Sequence, residues 1–153
     1  MYKLSFAILT TLSTILLSPN ILASSDPLIG TWKTIDNRTG YSLSDIRIQK
    51  LKDGRYKATI LAIRAVPGTA LQTTCSQCTG ALKNKPLIGF SPLHNFKVSH
   101  VKSNEFIDGK YIDPITGLEY TSHIRLSNNG KHLLIRNTTA NSNFSSNLTW
   151  VKY

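Results

Sequence analysis

Cys75-Ser76-Gln77-Cys78 is the segment whose residue types and spacing carry the most chemistry. Two thiols so placed can close a disulfide, exchange electrons with other thiols, or bind a metal. Exchange of the thioredoxin type needs the first Cys at a helix N-terminus inside a βαβ unit, and no such pattern surrounds Cys75. Zinc would draw on His94 and His100, which follow at finger-like spacing. However, Pro92 precedes them, and Phe96 and Val98 alternate between them as in a strand. Six residues of strand separate two side chains by about 20 Å, too far for one tetrahedral ion. The expectation is a structural disulfide, Cys75–Cys78, formed in an oxidising compartment. It closes too small a loop to gain much entropy, so its effect is to stiffen the long connection Val66–Pro86.

The other reactive residues do not converge. His123 and His132 lie near one hairpin, but the register below sets His123 against Arg136. Asp108 and Asp113 suggest an acid–base pair, yet Asp113-Pro114-Ile115-Thr116-Gly117 reads as a turn whose Asp bonds the local backbone. No nucleophile-elbow motif accompanies the many Ser and Thr residues. The sequence therefore predicts no catalytic residues, no metal and no cofactor. Four N-x-S/T sequons, at Asn37, Asn137, Asn143 and Asn147, are read as chance in an Asn-rich chain.

The 153 residues divide at about residue 25. Lys3, an apolar stretch Leu4–Leu17 and small residues at Ala23-Ser24-Ser25 form a secretory signal peptide, 1–25. The apolar run is short of the roughly 20 residues needed to span a bilayer. Residues 26–153 then form one domain, secreted or periplasmic. They carry 17 basic and 8 acidic side chains, a net +9. Secretion and the lack of a motif with interleaved aromatics argue against nucleic acid. An anionic envelope surface or an acidic partner is the alternative reading of this charge.

Short apolar runs separated by turn dipeptides predict β-structure throughout. Strands are expected at Ile29–Ile35, Leu43–Leu51, Arg55–Arg64, Leu87–Pro92, Asn95–Val101, Glu105–Ile112, Glu119–Leu126, Lys131–Thr138 and Asn147–Tyr153. A three-residue turn, Lys52-Asp53-Gly54, sets Ile46 against Ile60 and Ile48 against Ala58, keeping the apolar face intact. Asn129-Gly130 suits a two-residue type I′ turn, pairing Leu126 with Leu133 and Ile124 with Ile135. The Asn-, Ser- and Thr-rich segment Asn137–Asn147 reads as a mobile loop. Eight or nine antiparallel strands, each with one apolar face, are best hidden in a small closed barrel, with a two-sheet sandwich as the alternative.

The landmarks fall in a recognisable order. Gly30-Thr31-Trp32 opens the first strand and Asp53-Gly54 turns the first hairpin. Cys75-x-x-Cys78-x-Gly80, Lys85-Pro86-Leu87-x-Gly89, Gly109-x-x-x-Asp113-Pro114-x-x-Gly117-x-x-Tyr120 and Trp150 follow. This set resembles the small bacterial secreted family called domain of unknown function 2147. The resemblance implies a lipocalin-like (calycin-like) antiparallel barrel and supplies no assigned activity. Gly30-x-Trp32 is similar to the opening signature of lipocalins, in which the Trp closes one barrel end against an Arg from a late strand. Arg136 or Arg125 would take that part, although the hairpin register turns both outward. Phe106 stands where the family tends to have Trp, and Asn137, Ser145 and Ser146 replace residues more often Gly and Arg. The expected function is to hold a small apolar or amphipathic ligand, lined by Trp32, Tyr56, Phe90, Phe106, Tyr111 and Tyr120. The alternative is a cell-envelope interaction protein that binds an anionic surface through its basic face.

Overall fold

The computed structural model describes residues 26–140 and 145–153. The expected signal segment and the sequon at Asn143 lie outside the described residues. The described residues form eight strands: β1 (Gly30–Ile35), β2 (Ser42–Lys50), β3 (Tyr56–Ile63), β4 (Leu93–Val98), β5 (Glu105–Ile112), β6 (Glu119–Leu126), β7 (His132–Thr138) and β8 (Ser145–Lys152). They pair antiparallel in chain order, and β1 also pairs with β8, so the sheet closes into a barrel. Closure removes both sheet edges.

Alternation explains the core. Along β7, His132, Leu134 and Arg136 are exposed, whereas Leu133, Ile135 and Asn137 are buried. Both expected registers are present: Ile46 faces Ile60 and Ile48 faces Ala58, and Leu126 faces Leu133 and Ile124 faces Ile135. The first turn is as expected, with Gly54 at φ 81° and Leu51 N–H donating to Arg55 O. The second differs in type. Gly130 is left-handed while Asn129 is not, which excludes type I′. The loop instead closes at Ser127 and His132. Asn129 Oδ1 accepts from Lys131 N–H at 3.0 Å and from Ser127 Oγ at 2.7 Å. The side chain thus builds a wider turn with the same register.

Two expectations are corrected. Leu87–Pro92 is not a strand, because Pro86, Pro92 and Gly89 (φ 86°) interrupt any ladder. Its backbone meets β3 at Ile60, whose N–H and C=O bond Phe90 O and Gly89 N at 2.8 Å each, and Ser91 Oγ lies 3.1 Å from Thr59 Oγ1. Nor is Asn137–Asn147 simply a loop. Asn137 pairs with Ser146 and Thr138 with Ser145, extending the β7–β8 ladder through the polar sequence. Backbone hydrogen bonds and an inward side chain override weak local propensity here.

One end of the barrel is plugged. Trp32 is fully buried and its Nε1–H donates to Leu28 O at 2.9 Å. Tyr56, Phe96 and Phe106 pack as a three-ring cluster, with centroids 5.5–6.3 Å apart. The Tyr56 hydroxyl donates to Asp26 Oδ2 at 2.6 Å. The cation above Trp32 is Lys152 of β8, with Nζ 5.3 Å from the ring centre, and it also donates to Pro27 O. Arg125 and Arg136 are exposed on outward positions.

Candidate ligand-binding cavity

At the opposite end the interior is a cavity of about 390 Å³. Its apolar lining includes Trp150, Ile46, Ile60, Leu148, Leu43 and Ile63. Its polar lining includes Thr34, Ser44, Tyr111, Asp36, Asp113 and Arg64. Thr34 and Ser44, adjacent on β1 and β2, share a 2.8 Å hydroxyl hydrogen bond, and they lie level with Trp150 and Ile63 on the neighbouring strands. A mostly apolar lining with a few placed polar groups is the arrangement that orients an amphipathic molecule.

The long connection between β3 and β4 walls one side. Cys75 and Cys78 are joined as a disulfide, with Cα atoms 5.4 Å apart, and both are buried in the core. This turn is locked to the β5–β6 turn. Gln72 Nε2 donates to Pro114 O at 2.8 Å, and Gly117 abuts the Gln77 backbone. Gln72 and Pro114 both line the cavity. The stiffening effect expected of the disulfide therefore falls on the cavity wall.

The two acids at the rim are engaged in holding turns. Asp36 Oδ1 accepts from the N–H groups of Arg38 and Thr39 at 2.8 and 3.1 Å. The Arg38 amide bond is the main cause that holds the Asp36 carboxyl below its ordinary value. Asp113 Oδ1 accepts from Ile115 N–H at 2.8 Å, which bears out its reading as a turn residue. Tyr111 is partly buried, and its hydroxyl has no protein hydrogen-bond partner among the described residues. Burial is the main cause that pushes its pKa far up, with the Asp113 charge and Tyr120 adding to it.

Of the aromatic residues expected to line a site, Tyr111 lines this cavity. Tyr120 is its cross-strand neighbour, with ring centres 6.2 Å apart. Trp32, Tyr56 and Phe106 belong to the plug. Phe90 lies outside the barrel, over a shallow outer groove shared with Ile112 and Leu82.

Sequence reasoning missed the polar pair deeper on β6 and β7. Ser122 Oγ donates to Asn137 Oδ1 at 2.6 Å, both fully or almost fully buried. Asn137 Nδ2 has no hydrogen-bond partner among the described residues. The signal was present, because the second hairpin's register already placed Ser122 inward and extends to oppose it with Asn137.

A closed eight-stranded up-and-down barrel, plugged at one end and hollow at the other, defines a lipocalin-like protein. The chain belongs to the family described as an uncharacterised protein conserved in bacteria (DUF2147), whose profile matches residues 30–152. No curated protein matches the sequence. Among solved structures it is similar to protein HP1028 from Helicobacter pylori, described as belonging to the lipocalin family. The TM-score is 0.64 at 18% identity, covering 82% of each chain. At that identity the likeness concerns the fold.

Proposed function

We propose that this chain is a non-catalytic, extracytoplasmic carrier that holds one small amphipathic ligand in the barrel. The observation that carries this reading is the one-ended cavity whose mostly apolar lining holds a few polar groups. Its volume sits at the lower end of the roughly 300–1,000 Å³ usual for small-molecule sites. The ligand's apolar part rests on Trp150, Ile46 and Leu148, and its polar part lies among Thr34, Ser44 and Tyr111. The acids at the mouth, Asp36 and Asp113, are engaged in turn capping. Their engagement supports a binding role for the cavity. The disulfide supports the extracytoplasmic setting, to which the signal expected at residues 1–25 would deliver the chain.

The test is organic extraction and lipid mass spectrometry of the protein purified from its own host, beside an Ile63→Trp variant that fills the mouth. A stoichiometric amphipathic species on the wild type, absent from the variant, is the expected result. An empty wild type that also fails to take up a fluorescent fatty acid would sink the reading.

A further inference from the structure

The charge is uneven along the barrel axis. The β2–β3, β4–β5 and β6–β7 turns and both chain ends of the closed sheet meet at the plugged end. That end carries Lys50, Lys52, Arg55, Lys97, Lys102, Lys131 and Lys152 against Asp26, Asp53, Glu105 and Asp108. The mouth carries Asp36, Asp45, Asp113 and Glu119 against Arg38 and Arg64, with Lys83 and Lys85 on the connection between β3 and β4. The acids thus divide evenly between the two ends, and the surplus of bases makes the plugged end net cationic.

Two neighbouring turns at the plugged end also push aliphatic side chains into water. Val101 is 87% exposed, the highest among the large apolar residues described, and Leu51 is 40% exposed. Each sits between basic residues, in Lys50-Leu51-Lys52 and His100-Val101-Lys102. Arg55 Nη1 donates to Asn95 O at 3.1 Å and Tyr56 pairs with Phe96, so the first turn lies against β4, the strand that leads into the second. Lys102 is braced by Glu105 at 3.0 Å and Lys50 by Asp26 at 3.8 Å, whereas Lys52 and Lys131 are exposed and make no salt bridge among the described residues. Aliphatic tips beside lysines suit a surface that is anionic outside and apolar just beneath.

We propose that the plugged end docks onto an anionic phospholipid bilayer, with Leu51 and Val101 entering the headgroup region and the open mouth facing away. The docking does not depend on whether the cavity holds a ligand. The experiment is co-sedimentation of the domain with vesicles of phosphatidylglycerol and phosphatidylcholine, beside vesicles of phosphatidylcholine alone. Binding is expected only with phosphatidylglycerol, weakening at least tenfold as salt rises and screens the cations. Leu51→Asp with Val101→Asp, and separately Lys52→Glu with Lys131→Glu, should each cost roughly tenfold or more. Leu71→Ser with Leu118→Ser, at exposed positions near the mouth, should leave binding unchanged. Tryptophan placed at the tip by Val101→Trp should be quenched by brominated lipid, reporting insertion apart from any folding effect. Binding that ignores lipid charge, loss of binding on the mouth variant alone, or retention by an envelope protein without vesicle binding would each overturn the proposal.

Discussion

Gly117 packs against Gln77 so closely that a Cβ on Gly117 would stand 2.3 Å from the Gln77 carbonyl oxygen and 2.8 Å from Cys78 N. The β5–β6 turn and the disulfide turn therefore share one contact that tolerates no side chain. Gly117 is also left-handed, at φ 73°. Gly117→Ala should destabilise the domain by about 2–4 kcal/mol, combining overpacking with backbone strain. Gly130→Ala is the control. Its φ of 68° is similar but nothing lies within 4 Å of its Cβ position, so it should cost only about 1 kcal/mol. Urea unfolding of both variants measures the difference.

The buried Ser122–Asn137 pair should behave non-additively. Ser122→Ala leaves Asn137 with neither polar atom bonded, at a cost of about 1–3 kcal/mol. Ser122→Ala with Asn137→Leu removes the whole polar pair and should recover most of that loss. A double-mutant cycle in urea decides it, and simple additivity would count against the pairing.

Lys152 over Trp32 gives a third expectation. Lys152→Met keeps the stem and removes the cation, and should cost about 1 kcal/mol through the lost ring contact. Lys152→Arg should retain most of it. Thermal unfolding compares the three proteins, with Arg136→Met, on an outward position, as the neutral reference.

Alkaline stability follows from the tyrosines. Burial and the Asp26 hydrogen bond push the Tyr56 pKa up, and burial pushes the Tyr111 pKa up. In both the neutral phenol is favoured in the folded state. The stabilisation is complete below the ordinary tyrosine range and is lost as pH rises through the raised folded values. Unfolding free energy should therefore fall above about pH 10, less steeply in Tyr111→Phe. Absorbance titration of the phenolates together with urea unfolding checks the sign.

How far the residues foretold the molecule depended on how local the determining physics was. The Ile46–Ile60 and Leu126–Leu133 registers were legible because each hairpin has one turn and one apolar face, and a slip of one residue would expose it. Phe90 was misleading because its apolar run resembles a strand, while the flanking prolines and Gly89 deny it a ladder. Asn137 and Ser146 look like loop residues by composition, and only the closing of β7 on β8 makes them strand. The cation above Trp32 could not be found in either hairpin, because Lys152 reaches it across the seam between the first and last strands. The cavity lies beyond such local rules altogether. Whether Trp32 or Tyr111 lines a hollow depends on which barrel end is plugged, a property of all eight strands together.

That seam also has a meaning in time. β1 pairs on one side with β2 and on the other with β8, through Trp32–Lys152 to Ile35–Thr149. The chain can form its hairpins in order, but β1 keeps a bare edge until residues 149–152 pair with it. Every other pairing joins strands that are neighbours in the chain, so this seam is the contact that turns an open sheet into a barrel. β8 therefore acts as the latch of the fold, and the sheet stays open for as long as that strand is kept from β1.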